Sequence, residues 1–226
     1  MPSSNPDRAG FLDATADEIK SLRDMGTWDP EETLSKEQMT TSKIGMSRCV
    51  FTKKYHPDGT FDKYKCRIVF RGDRWYDLYL NKTYAGCVMS ETVRLLLSVA
   101  ATEDMEIGCL DVKTAFLYGD VPDDQYIYMR RPAGLTDADM PAVVRLRKCL
   151  YGLPHAPATF RKHSDVTLRG LGFSPTVSDP RLYVRLQDNG TKVYVAVHAD
   201  DFGIAATSTE LKEETMKAIQ RRSIAA

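Results

Sequence analysis

The sequence has no long apolar run, no paired-cysteine motif and no net charge. No apolar stretch reaches the roughly 18 residues that a membrane-spanning helix needs, so a membrane partner is not expected. The 5 cysteines occur without Cys-x-x-Cys spacing, and the polar start lacks the apolar segment of a secretory signal. We therefore predict reduced thiols in a protein that is not secreted but resides in the cytoplasm or the nucleus.

Basic and acidic residues balance over the whole chain but not along it. The 31 basic and 31 acidic residues cancel, so net charge gives no sign of a polyanionic partner. Residues 1–42 are acidic, whereas residues 43–75 are strongly basic. The basic segment predicts either a solvated surface hairpin or a surface that meets phosphates.

The apolar patterns predict an α+β fold. Helices are expected at 13–25, at 91–103 behind Ser90 as the cap, at 158–171 and from 210 to about 222. A β-hairpin is expected over 43–72, and strands at 107–112, 125–130, 143–148, 182–186, 193–197 and 202–206. We expect the helix at 91–103 and the strand at 107–112 to be buried. The element order favours an antiparallel sheet covered by helices on one face, with the other face open for a ligand.

Three aspartates lie at the ends of apolar segments. Asp111 ends one run, and Asp200 and Asp201 lie between two strands of apolar and aromatic residues. Each could simply form a turn, because Asp is a common turn residue. Placing several carboxylates beside buried strands is nevertheless costly unless divalent cations offset their charge. This pattern is typical of phosphoryl transfer.

Five segments, in order and spacing, resemble the reverse transcriptase of copia-type (pseudoviral) LTR retrotransposons. They are residues 58–69 (DGTFDKYKCRIV), 111–117 (DVKTAFL), 150–157 (LYGLPHAP), 178–183 (SDPRLY) and 198–201 (HADD). The resemblance covers about residues 26–220 and implies the fingers and palm of a right-hand polymerase. It divides the chain into an acidic N-terminal segment (1–25, partly disordered or a short helix), a fingers-like hairpin region (26–90) and a palm truncated at the C-terminus (91–226), with the thumb absent.

The resemblance implies an RNA-directed DNA polymerase that adds dNTPs to a primer on an RNA or DNA template. Asp111, Asp200 and Asp201 would be catalytic and, with the main chain of Val112, would hold two Mg²⁺ ions, with Mn²⁺ as a possible substitute. The expected partners are the primer-template, dNTPs and the rest of the retroelement polyprotein, in a virus-like particle or the nucleus.

The nucleotide-binding residues implied by the resemblance lie in three segments. They are Lys65 and Arg67 for the triphosphate, Ala115 and Phe116 under the sugar, and His155 against the nucleotide. Charge-assisted bonds suit the first pair to phosphate. For Phe116, plain core packing is the alternative.

Some positions depart from the family pattern. His198 and Ala199 stand where the family has Tyr and Val, and His155 stands where it has Gln. A second hypothesis is therefore an inactive or co-opted retroelement remnant that keeps the fold and nucleic-acid binding. A third is an unrelated sheet platform of the RNA-recognition type, although no strand carries the expected pair of exposed aromatics.

Overall fold

The computed structural model describes residues 5–29, 32, 34, 39, 43–75, 85–112, 114–122, 125–187 and 190–225. In chain order the elements are α1 (Arg8–Asp24), β1 (Ile44–Gly45), β2 (Ser47–Tyr55), β3 (Phe61–Phe70), α2 (Ser90–Thr102), β4 (Glu106–Asp111), β5 (Tyr128–Arg130), β6 (Val143–Arg145), α3 (Ala156–Gly170), β7 (Ser174–Pro175), β8 (Leu182–Leu186), β9 (Lys192–His198), β10 (Asp201–Ala206) and α4 (Thr209–Ala225). Short 3-10 helices follow β3 and β4, at Gly72–Arg74 and Ala115–Tyr118. The α+β prediction is confirmed.

Internal contacts divide the chain into two units that interleave along the sequence. The first contains residues 1–82 and 119–156, and the second contains residues 83–118 and 157–226. Each unit is described by itself below. The three-part division at residues 25 and 90 remains a prediction.

The first unit is built on the β2–β3 hairpin. The predicted hairpin is present, with its turn at His56 to Gly59, and Gly59 adopts a left-handed φ of 84° that glycine accepts without steric cost. Helix α1 packs along β3 because its buried positions recur about every four residues. These buried positions are Phe11, Thr15, Ile19 and Leu22. A smaller sheet joins β1 in parallel to β5, which pairs antiparallel with β6.

The second unit contains an antiparallel five-stranded sheet in the order β4-β10-β9-β8-β7. On one face, alternate β9 and β10 residues pack with Phe160 and Leu168 of α3 and Ile219 of α4. The strand residues are Val193, Val195, Val197, Phe202, Ile204 and Ala206. Each large apolar side chain buried here contributes roughly 1.5–3 kcal/mol, so this layer is the main core of the unit.

The prediction that helices cover only one face of the sheet is wrong. Leu96 and Ala100 of α2 pack on the opposite face, against Ala196 of β9 and Ala205 of β10. The small alanines let the helix approach the sheet. That face is therefore partly covered.

Two burial predictions also fail, and for related reasons. In α2 only a narrow stripe is buried, and Leu97 remains 47% exposed. Strand β4 is largely exposed, including Ile107 and Cys109, because it is the edge strand of this sheet within the described residues. Apolar character alone did not distinguish an edge strand from a central one. The connection between β8 and β9 contains Asp-Asn-Gly at 188–190, a strong turn signal in the sequence, and lies partly outside the described residues.

Candidate active site

Asp111 and Asp201 lie directly opposite each other at the ends of β4 and β10. Directly opposed residues of an antiparallel pair project from the same face of the sheet, with Cβ atoms about 4.5–5.5 Å apart. Both residues are exposed. The strand register places Asp201, rather than Asp200, across from Asp111.

Asp200 contributes to the site through its backbone. The Val112 N–H donates a hydrogen bond to the Asp200 carbonyl oxygen at 3.2 Å, which ties the two strand ends together beyond the ladder. The Val112 side chain is buried in the core of the unit. The Val112 carbonyl oxygen is therefore the atom of this residue that could serve as a metal ligand. Asp200 itself is half-buried in the turn.

The loops beside both acids contain strained backbone. Ala199, just before Asp200, has a φ of 53°, and Thr114, three residues after Asp111, has a φ of 56°. The left-handed region costs an L-residue on the order of 1–2 kcal/mol, and for a β-branched residue such as threonine it is a genuine outlier. Such strain is concentrated at functional sites. Nothing in the sequence indicated it, since neither residue is a glycine.

The carboxylate oxygens of this site suit a divalent cation that is bound by the protein and the substrate together. Among the residues that the structure describes, no group of three or more His, Cys, Asp or Glu side chains could hold a metal ion by itself. Mg²⁺ is usually bound by one or two carboxylates together with substrate phosphates rather than in an all-protein cage. The Asp111–Asp201 pair supplies that number of carboxylates, all with the oxygen chemistry that Mg²⁺ prefers.

Phe116 packs against the core rather than standing free. Its ring meets Phe160 of α3 edge to face, with centroids 6.1 Å apart. Ala115 is fully buried, while Phe116 is half-buried. The contact with Phe160 therefore limits movement of the Phe116 ring, while part of the Phe116 side chain stays accessible to solvent.

One face of the β2–β3 hairpin is cationic. Lys65 and Arg67 lie opposite Thr52 and Val50, so they share a face with three further cations. Those cations are Arg48, Lys54 and Lys63. Arg71, which was not predicted as a site residue, lies beyond β3 and pairs with Asp73.

The segment 150–156 packs on the end of β3 within the same unit. The Phe70 N–H donates to the Tyr151 carbonyl at 2.8 Å, and the Arg67 guanidinium lies 5.2 Å from the Tyr151 ring centroid. Gly152 has a φ of 86°, and a Cβ there would overlap the Phe70 carbonyl oxygen. His155 follows in this loop, and burial lowers its pKa below the usual range.

A buried polar network in the second unit was not predicted from the sequence. Asp179, only 3% exposed, accepts the backbone N–H of Met89 at 2.9 Å and that of Arg181 at 2.9 Å. The Asp179 carboxylate, rather than the Ser90 side chain, therefore accepts the backbone N–H group at the start of α2. Tyr183 donates its hydroxyl to Asp165 at 2.9 Å, and burial together with this bond raises the pKa of Tyr183 to about 12. Asp179, Arg181 and Tyr183 all lie in the SDPRLY segment (178–183). That segment was therefore the sequence signal for the network, although the resemblance implied no role for its residues.

The candidate residues thus fall into two groups. The first unit brings Lys65 and Arg67 onto one strand face and joins that strand to the loop of His155. The second unit brings Asp111 and Asp201 together, with Val112, Asp200 and Phe116 in the adjoining segments.

This chain belongs to the reverse transcriptase (RNA-dependent DNA polymerase) family, whose profile matches residues 33–222. Among curated proteins it is 36% identical over 177 residues to the retrovirus-related Pol polyprotein from transposon RE2 of Arabidopsis thaliana, covering 77% of this chain and 12% of that protein. It is 37% identical over 177 residues to the corresponding protein from transposon RE1, with coverages of 77% and 12%. It is also 30% identical over 200 residues to the one from transposon TNT 1-94 of Nicotiana tabacum, with coverages of 88% and 14%.

The resemblance to copia-type elements is confirmed by these relatives. The matched part of the chain corresponds to only 12–14% of the length of these three relatives. Within the described residues, no helix combines the length and the apolar character that crossing a bilayer requires.

Proposed function

We propose that this chain forms the fingers and palm of a polymerase and transfers deoxynucleotides to a primer 3′-hydroxyl on an RNA or DNA template. Residues 26–90 would supply the fingers and residues 91–226 the palm. The observation that carries the proposal is the facing of Asp111 and Asp201 at the ends of β4 and β10, in a chain of the reverse transcriptase family.

Asp111 and Asp201 would hold the metal, with Asp200 and the Val112 carbonyl oxygen as further ligands. Two Mg²⁺ ions, when bound, lower the pKa of the primer hydroxyl and stabilise the departing pyrophosphate. The exposure of both carboxylates supports this role, because the substrate must reach the same ions. The Val112–Asp200 hydrogen bond would keep the two strand ends in register while substrate binds.

Each unit carries groups suited to the incoming nucleotide. Lys65 and Arg67 would bind the triphosphate through charge-assisted hydrogen bonds. Ala115 and Phe116 would lie under the sugar, where Phe116 would exclude a 2′-hydroxyl, and its edge-to-face contact with Phe160 supports a fixed ring. His155 would contact the nucleotide as a neutral imidazole, since burial lowers its pKa.

A second candidate function is nucleic-acid binding without catalysis, as in a co-opted remnant. It is favoured by His198, which lies exposed and directly opposite Asp201 where the family has Tyr. The cationic hairpin face would serve either function. The remaining polyprotein parts, and a location in a virus-like particle or the nucleus, belong to the first proposal.

Primer extension by the purified chain with Mg²⁺, template-primer and dNTPs tests the catalytic proposal. Asp111→Asn and Asp201→Asn should each abolish extension, while Asp17→Asn, a change of an exposed acid on α1, should not. Calorimetry of Mg²⁺ binding with nucleotide and duplex present provides a readout that does not need turnover. Extension at the wild-type rate by Asp201→Asn would overturn the catalytic proposal. Duplex binding without Mg²⁺ binding or extension would favour the second candidate.

A further inference from the structure

The segment Leu150 to Leu153 is anchored on both sides of Tyr151. Leu150 is fully buried and Leu153 is 2% exposed, so the backbone that carries Tyr151 is fixed by apolar packing. The Phe70 N–H donates to the Tyr151 carbonyl at 2.8 Å, which joins the segment to the end of β3.

Two glycines allow this close approach. A Cβ on Gly152 would overlap the carbonyl oxygen of Phe70, and a Cβ on Gly72 would overlap the carbonyl oxygen of Gly152. The two backbones are therefore in direct contact. The backbone at Tyr151 is consequently held at a defined position relative to β3.

Arg67 lies over this ring. Its guanidinium carbon is 5.2 Å from the ring centroid, inside the roughly 6 Å range of cation–π attraction. A cation–π contact draws on the positive charge of the guanidinium and does not occupy its five N–H donors as hydrogen bonds would. Tyr151 can thus orient Arg67 without using the donors that an oxyanion needs.

Arg71 shows the opposite arrangement nearby. Its Nε and one terminal nitrogen donate to the two Asp73 carboxylate oxygens at 3.1 and 2.6 Å. That bidentate pairing uses the donors themselves. The two arginines lie four residues apart but differ in what they can offer to an anion.

We propose that Tyr151 is a positioning residue that holds the Arg67 guanidinium ready to bind a polyphosphate. The inference rests on the proposed assignment of Arg67 to the incoming triphosphate. It adds a role for the LYGL segment, which the other assignments leave without one. The ring acts through Arg67 and does not itself touch the phosphate.

Calorimetric titration of the chain with inorganic tripolyphosphate measures this role without turnover. Tyr151→Phe keeps the ring face and should bind within about twofold of wild type, whereas Tyr151→Leu should bind about 3- to 10-fold more weakly. Tyr126→Leu is the matched control, because Tyr126 lies over Arg145 in the same unit with a separation of 4.0 Å. It should leave the affinity unchanged.

Arg67→Lys provides a second arm that does not disturb the loop. A lysine keeps the charge but has no planar face to stack, so this variant should also lose affinity. The double variant with Tyr151→Leu should lose little more than either single variant. If Tyr151→Leu does not fold, Arg67→Lys decides: wild-type affinity in that variant would overturn the inference.

Phenylglyoxal labelling followed by mass spectrometry locates the bound anion. Tripolyphosphate should protect Arg67 in wild type, with Arg71 as an internal reference. An unprotected Arg67 would remove the anion site and with it the inference. Equal affinity of wild type and Tyr151→Leu, with Arg67 protected in both, would overturn only the positioning role. Neither result would alter the expected loss of primer extension in Asp201→Asn, so the two proposals fail separately.

Discussion

Asp111 and Asp201 face each other across neighbouring antiparallel strands, so two like charges meet at one end of the sheet. Like charges directly opposite in a sheet are destabilising by roughly 0.2–1 kcal/mol. Their arrangement is unfavourable for the metal-free chain and favourable once a cation lies between them. If the pair binds Mg²⁺ as proposed, it would link the stability of the chain to metal binding.

Asp201→Asn should stabilise the metal-free chain by about 0.2–1 kcal/mol, and less at high salt, where screening weakens the repulsion. Mg²⁺ should raise the Tm of wild type, because it binds the folded state, and should have little effect on the variant. Thermal unfolding with EDTA and with Mg²⁺ measures both effects. Asp17→Asn is the control, and an equal Mg²⁺ response in all three proteins would contradict the prediction.

Gly152→Ala should destabilise the first unit by roughly 2 kcal/mol or more, because the new Cβ meets the Phe70 backbone in a left-handed conformation. Gly59→Ala is a matched control in the same unit. Gly59 has a similar φ of 84°, but a Cβ added there would meet nothing within 4 Å, so the change should cost only about 1 kcal/mol. Urea unfolding of the two variants compares them, and equal losses would argue against the close backbone contact.

Asp179→Ala should destabilise the second unit by about 3 kcal/mol or more. The change leaves the Met89 and Arg181 N–H groups without their acceptor and removes a negative charge that interacts with the positive charge of the buried Arg181. Asp165→Ala, which removes the more exposed acceptor of the Tyr183 hydroxyl, is the comparison and should cost less. Hydrogen exchange at the start of α2 should rise in Asp179→Ala, and unchanged protection there would contradict the assigned contact.

Ala199→Gly should be neutral or stabilising by up to about 1 kcal/mol, because glycine accepts the φ of 53° without strain. Ala199→Val should destabilise by roughly 1–2 kcal/mol, because a β-branched residue is least tolerated there. The free energy of unfolding of the two variants gives the test. A valine variant as stable as wild type would show that the turn readily adopts another conformation.

His155→Gln should reduce the loss of stability in mild acid. Burial lowers the pKa of His155 in the folded chain, so the unfolded chain takes up the proton first as pH falls. Neutral His155 therefore costs the folded chain no stability above about pH 6.5, and the free energy of unfolding decreases as pH falls below that value. Urea midpoints at pH 7.5 and 5.5 should differ more in wild type than in the variant. His56→Gln, a change of an exposed histidine, is the control.

Much of the fold followed from the pattern of apolar residues. The β2–β3 hairpin, the β8, β9 and β10 strands and the α3 helix lie close to their predicted ranges, since local periodicity and turn residues decide them. Burial was predicted less well. Whether Ile107 or Leu97 is covered depends on which elements lie beside it, and no local pattern contains that information.

The candidate site shows the same division. Motif order marked Asp111 and the 200–201 pair, and the alternation of β3 placed Lys65 and Arg67 on one face. The roles of Asp179 and Tyr151 were not predicted, because each depends on a backbone group distant in sequence. The left-handed Ala199 was equally hidden, since alanine is no signal for positive φ.

The sequence by itself determined the family, the alternation of helices and strands, and the identity of the acids, because these depend on residue types and local spacing. The tertiary structure alone decided that Asp201 rather than Asp200 faces Asp111. Strand register is set by long-range pairing, and a slip of one residue would turn every side chain of a strand to the other face of the sheet. The same long-range packing placed Tyr151 beneath Arg67 and Asp179 at the start of α2.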